Sequence, residues 1–319
     1  MHEALTILTE ELRRLKASGV KSVAVSDASL AALHRAVEAR AKSAPLGPRS
    51  EVRPPVREVA PGAPPARGAA PAAQLVREVS PPPGDHTASP SGGPTIPAPT
   101  PFTLPEGDKP TKLAWLKDRV LNDAVCRAHL RPGKRVVLGV GSLDAKIMFV
   151  GEAPGAEEEV QGEPFVGPAG QLLTRMIGGM GLKREEVYIG NIMNWRPEMP
   201  LNAAGVQYGN RPPTEDEMRY CLPHLRAQIE IVNPDLLVAL GSTAAQGLLG
   251  FGTFKALGEV RGRWREFAGK PLMVTYHPSY ILRNQSNRSK RMIWEDLLQV
   301  MERAGLSISD KQRGYFLDK

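Results

Sequence analysis

Cysteine is nearly absent from this 319-residue chain: there are two, Cys126 and Cys221, far apart in sequence. Two thiols are too few for a disulfide framework, and no structural disulfide is expected. The N-terminal stretch HEALTILTEELRRLK mixes charge into its apolar residues, unlike a secretory leader, and a cytoplasmic location is expected. No uninterrupted apolar run approaches the roughly 20 residues that a membrane span requires, so no membrane partner is expected. Histidine is also scarce, at six, and aromatic residues make up 5% of the chain. What is present in excess is positive charge, 41 Lys and Arg against 34 Asp and Glu, a modest bias toward anionic partners such as nucleic acid.

Proline divides the chain. Residues 1–44 carry an amphipathic pattern, with Leu5, Leu8, Leu12 and Leu15 at helical spacing, and read as a small helical module with an unidentified protein partner. Residues 45–110 hold more than half of the 30 prolines among Ala, Gly and Ser, and read as a disordered linker, because such a composition cannot bury enough apolar surface to offset its chain entropy. Residues 111–319 are regular, and a monomer is expected. Strand-like runs at 146–150, 187–192, 236–240 and 272–276 alternate with helical patterns at 169–180, 214–231, 242–249 and 289–304. Thr214 with Glu217 forms a capping box, and Ser242 stands where an N-cap belongs. The alternation predicts an α/β fold, a three-layer α/β/α arrangement around a central, mainly parallel four-stranded sheet.

In such sheets ligands bind beyond the carboxyl ends of the strands. The segments leaving those ends are GEAPGAEEEVQGEPF, NIMNWRP, Gly241-Ser242 and HPSYILR. The first is a Gly-Pro turn like those that cradle phosphates, but it carries Glu152, Glu157, Glu158, Glu159 and Glu163 and none of the Lys, Ser or Thr of a P-loop, so it is aimed at something other than phosphate. His277 is the one histidine in these loops, and no Ser or Cys sits beside it as a nucleophile, which argues against triad-type acyl transfer. A catalytic zinc site, with its three protein ligands, is equally unsupported. A carboxylate (Glu152), a ring (Phe165), an amide (Asn191) and an imidazole (His277) suit a flat polar heterocycle: a face to stack on, an edge to read, and a donor for developing negative charge.

These segments, with VYIGN, NRPPTEDEMRYCLPHL and RGRW, resemble the motifs of family 4 uracil-DNA glycosylases over roughly residues 120–305. The resemblance implies excision of uracil from DNA, with uracil-containing DNA as partner. It implies Glu152 and His277 as catalytic residues, with Glu158 as a second acidic one. Ala153, Phe165, Asn191 and Asn210 would be substrate-binding, and Ser279, Leu282 and Arg283 would form the loop that enters the duplex. Arg288 and Lys290, with Arg291 just beyond, are candidates for phosphate contact. The acidic turn would then face the sugar cation that forms as the glycosidic bond breaks.

The chain departs from that family in two places. Members hold a [4Fe–4S] cluster on four cysteines, so the resemblance leaves such a cluster open, but only Cys126 and Cys221 match the ligands, Asp123 and Trp195 stand at the other two positions, and no metal or cofactor is expected. A longer loop, EMPLNAAGVQYG at 198–209, precedes Asn210. Two alternatives stay open: a DNA-binding or scaffolding protein that keeps the fold with little turnover, and a superfamily variant that captures uracil covalently through a loop histidine, although loop 198–209 contains none.

Overall fold

A computed structural model describes residues 96–202 and 205–317. The expected helical module at 1–44 and the linker up to residue 95 lie outside the described residues.

Six strands form one sheet: β1 (Val140–Gly141), β2 (Ile147–Gly151), β3 (Tyr188–Asn191), β4 (Leu236–Leu240), β5 (Trp264–Phe267) and β6 (Lys270–Thr275). Their order is β1-β3-β2-β4-β6-β5. The central four are parallel and coincide with the four runs read from the sequence. The expected four-stranded sheet is thus extended by one antiparallel strand at each edge. Both additions lack a periodic signal. β1 is two residues long, and β5 joins β6 through Ala268-Gly269, both at positive φ, the two-residue turn that matches strand twist.

The helices are α1 (Lys109–Asn122), α2 (Ala124–Ala128), α3 (Glu158–Gln161), α4 (Pro168–Gly179), α5 (Glu215–Val232), α6 (Ser242–Leu249), α7 (Pro278–Arg283), α8 (Asn287–Arg303) and α9 (Asp310–Arg313). They cover both sheet faces. Met148 and Val150 of β2, with Leu237 and Ala239 of β4, pack under α1, α2, α5 and α6. Ile147 and Phe149, with Leu236, Val238 and Leu240, face α4 and α8. Because successive side chains point to opposite faces and both faces are buried, these strands read as continuous apolar runs.

Thr214 and Glu217 form the expected capping box on α5. Ser242 does not cap α6; it is the first helical residue, and Gly241 takes the cap position at φ 96°. A Cβ on Gly241 would stand 3.0 Å from the Cβ of His277, so glycine lets the β4–α6 turn lie against the loop after β6.

The expected boundary at residue 111 falls inside α1, and residues before it pack on the sheet domain. Phe102 stacks on His224 at 5.8 Å between ring centroids and lies under the Arg119 guanidinium at 4.4 Å. Lys109 Nζ donates to the Leu143 and Val232 carbonyls at 2.8 and 3.0 Å. A chain starting at residue 111 should therefore be less stable than one starting at 96 by at least about 2 kcal/mol, through the missing Phe102 contacts alone. Urea denaturation of the two truncations checks this, and equal midpoints would refute it.

Candidate active site

The four parallel strands end on one rim. Glu152 follows β2, Asn191 is the last residue of β3, Gly241 follows β4, and His277 lies two residues past β6. Together they line a cleft of about 550 Å³, to which Ala153, Glu158, Phe165, Asn210, Ser279 and Arg283 also contribute. Nine of the residues singled out in the sequence thus meet in one place.

Glu158 organises the acidic turn. Its carboxylate accepts from the Gly155 N–H at 3.1 Å and from the Val166 and Gly167 N–H groups, each at 3.0 Å. Expected as a second catalytic acid, it lines the cleft while three backbone amides hold its carboxylate. The clamp brings the PFVG turn over the end of β2, where Phe165 is held at φ 55°, a conformation that a bulky side chain adopts only under constraint. A Cβ on Gly151 would come within 2.5 Å of the Phe165 ring and 2.4 Å of Asn191 Oδ1; only glycine lets ring and amide meet there.

Asn191 is buried, and its Oδ1 has no hydrogen-bond partner. An orphaned buried acceptor costs about 1–3 kcal/mol, so this atom is poised for a donor supplied by a ligand. The Phe165 and His277 rings lie 5.7 Å apart at 32°. His277 Nδ1 accepts from the Ser279 backbone N–H at 3.2 Å and lies 2.8 Å from Ser279 Oγ. Since a backbone N–H can only donate, the ring proton sits on Nε2, which is left as a donor. Burial, reinforced by the Arg283 guanidinium, pushes the imidazole down to about 4, so it is neutral at physiological pH. Burial raises the Glu152 carboxyl above its usual range, and a hydrogen bond from Thr243 opposes that rise.

Asn210 is reached from behind. Its Oδ1 accepts from Arg196 Nε at 2.8 Å, while the same guanidinium pairs with Glu159 at 2.9 Å and donates to the Gly209 carbonyl at 2.6 Å. Arg196 and Glu159 are both buried, so adjacent glutamates anchor different loops. Leu282 is exposed at the end of α7. Arg288 and Lys290 are not part of the cleft: Arg288 is exposed, and Lys290 lines a separate apolar groove with Ile281 and Trp294. Arg291 is tied to Glu295 and to the Arg313 and Tyr315 carbonyls. The sequence reading chose these cations by proximity to HPSYILR; of that group Arg283 lines the cleft and Arg288 and Lys290 do not. It missed Thr243, Pro197 and Arg211, which carry no signature of their own.

A cleft of this construction takes a flat heterocycle at the carboxyl end of a parallel sheet. Comparison of sequences gives the class: the chain belongs to the family described as the Uracil DNA glycosylase superfamily, whose profile matches residues 138–298. Within it, the chain is 43% identical over 183 residues to the type-4 uracil-DNA glycosylase of Thermotoga maritima, covering 57% of this chain and 89% of that protein. It is 40% identical over 176 residues to the type-4 enzyme of Saccharolobus solfataricus, covering 53% and 76%. A type-5 uracil-DNA glycosylase of Pyrobaculum aerophilum is 29% identical over 174 residues, covering 51% and 73%.

The residues present do not fit a four-thiolate cluster. Cys126 and Cys221 are buried and hydrogen-bonded to each other, which, with burial, pushes the Cys126 thiol well above its usual range. Asp123 caps α2 through the Cys126 N–H at 2.8 Å and accepts from the Tyr220 hydroxyl at 2.8 and 2.9 Å, so its oxygens are taken. Trp195 is fully buried and stacks on His129 at 4.9 Å and 6°. Its indole N–H has no lone pair to offer a metal. Among the described residues no three His, Cys, Asp or Glu side chains converge as a metal site.

The Trp195 N–H is itself without a partner. Trp195→Ala should lower the unfolding free energy by about 3–5 kcal/mol. Trp195→Phe should cost much less, because it removes the unpaired donor while keeping most of the ring. Urea unfolding compares the two; equal losses would contradict this packing account.

Proposed function

We propose that this chain flips uracil out of DNA and hydrolyses its N-glycosidic bond, leaving an abasic site. The observation that carries the reading is the buried, unpartnered Oδ1 of Asn191 beside the Phe165 ring. Uracil presents an N3–H donor to that oxygen and an O4 acceptor to the amide N–H. Cytosine presents an acceptor and a donor at the same positions, leaving buried groups unpaired on both sides. Phe165 stacks on the base, and unstacking it from the helix costs a few kcal/mol, which the pocket must offset.

Bond cleavage develops negative charge on the base and positive charge on the deoxyribose. The neutral His277 donates from Nε2 to uracil O2 and stabilises the leaving anion without transferring a proton. Glu152 faces the sugar, where its carboxylate stabilises the cation or orients the attacking water. Ser279 and Arg283 border the cleft, with Leu282 beside them as the residue that enters the duplex.

Purified protein should release uracil from uracil-containing oligonucleotides. Glu152→Ala and His277→Ala should each slow single-turnover excision on the order of 10²-fold or more while binding changes far less. Wild-type rates in both variants would refute these roles.

The acid limb of the pH–rate profile should belong to Glu152. Its raised pKa means the carboxylate is lost as pH falls through a value above the usual carboxylate range, and rate falls with it. His277, held down to about 4, should produce no step near 6.5. A rate that rises with the fraction of protonated imidazole near pH 6.5 would overturn the neutral-donor assignment.

We further propose that the chain works without an iron–sulfur cluster, because two cysteines and a buried tryptophan replace the four-thiolate set. Anaerobically purified protein should be colourless and free of iron. A brown protein with about four irons per chain would sink the proposal.

A further inference from the structure

The described residues of segment 198–209 are held in place by backbone pairing and by side chains of the domain. Leu201 and Gln207 form an antiparallel bridge, and Asn202 closes the turn by donating its N–H to the Val206 carbonyl at 2.9 Å. The base of the hairpin is stitched to the domain from several directions. Arg131 donates to the Met199 carbonyl at 2.7 Å, Arg211 to the Glu198 carbonyl at 2.7 Å, and Arg196 to the Gly209 carbonyl at 2.6 Å. Gln207 is buried and holds the Pro197 carbonyl at 3.0 Å and the Met199 N–H at 3.2 Å.

Gln207 is turned inward, and its neighbours Val206 and Tyr208 are turned outward. They are 56% and 88% exposed. A rigidly based segment that presents an almost fully exposed aromatic ring to solvent invites the question of what covers the ring. The location answers it. Pro197, Asn210, Arg211 and Pro212, which flank the hairpin on both sides, line the cleft itself. Tyr208 is two residues from Asn210, so their Cα atoms lie at most about 7 Å apart. Tyr208 does not itself line the cleft, but a strand whose uracil occupies it must run its neighbouring nucleotides past the residues that flank the hairpin, within reach of an exposed ring two residues from Asn210.

We propose that Tyr208 is a stacking platform for an unpaired base adjacent to the uracil in the same strand. The proposal rests on the glycosylase reading and adds a substrate preference to it: single-stranded or locally opened DNA is gripped better than intact duplex, because only an unpaired base offers its face.

The test compares wild type, Tyr208→Ala and Tyr208→Phe on single-stranded and duplex oligonucleotides. Binding is measured with a non-cleavable 2′-fluorinated deoxyuridine and excision with ordinary deoxyuridine. Tyr208→Ala should weaken single-strand binding about 10-fold. It should affect duplex binding less and leave the saturated single-turnover rate within about twofold of wild type. Tyr208→Phe should behave as wild type, since stacking needs the ring and not the hydroxyl. The side chain is 88% exposed, so both variants should keep the wild-type melting temperature. Single-strand binding unchanged in Tyr208→Ala, or equally weakened in Tyr208→Phe, would overturn the stacking role while wild-type excision leaves the glycosylase reading standing. Wild-type protein that excises uracil from neither substrate would remove that reading and this proposal together.

Discussion

Three backbone N–H groups converging on the Glu158 carboxylate give the cleft its shape. Hydrogen bonds to an ionised acceptor are among the stronger ones in a protein, and these close two turns onto each other, Gly155 from one side and Val166 with Gly167 from the other. The unusual φ of Phe165, the approach of its ring to Gly151 and its meeting with His277 all follow from that closure. Glu159, the next residue, turns roughly 100° away on the same short helix and pairs with Arg196, which in turn holds Asn210 and Gly209. One helical turn thereby fixes both walls of the site. Of the five glutamates in the stretch, Glu158 and Glu159 are tied to backbone amides and to Arg196, whereas Glu152 lines the cleft without such a clamp.

The sheet supplies the remaining geometry. Four parallel strands in register place Glu152, Asn191, Gly241 and His277 at one end without any residue having to reach far. The side chains at that end are held by hydrogen bonds: His277 by Ser279 within its own loop, and Glu152 by Thr243 from the turn after the neighbouring strand. Fixed dipoles of this kind need no reorganisation when charge develops, which is the condition for electrostatic catalysis. Asn191 is the exception, because its oxygen is left unsatisfied until a ligand arrives.

Behind the rim, the region around Trp195 is filled by aromatic and thiol packing. Aromatic stacking of Trp195 on His129, its contact with Tyr220, and the paired thiols of Cys126 and Cys221 fill that part of the core. Asp123 contributes as a helix cap and as the acceptor for Tyr220, a role in which a carboxylate needs no metal.

By itself the sequence determined the parallel core and its covering helices, because strands buried on both faces must be apolar throughout and helices on a sheet must be amphipathic. It determined which loops leave the strands at the rim, since topology dictates that end. The motif order determined the family, and Glu152, Phe165, Asn191 and His277 followed as the residues of the cleft. The edge strands were not legible, one being too short for any period and the other defined by a turn at positive φ. Nor was the division of labour among the glutamates, since charge and spacing are the same for an acid that clamps a loop and one that faces a substrate. Proximity in sequence grouped Arg288 and Lys290 with Arg283, of which Arg283 alone lines the cleft. Only tertiary structure decided these matters, because each depends on which backbone amides, cations and rings the chain brings back from distant positions: Arg196 to Glu159, Thr243 to Glu152, and Phe102 to His224.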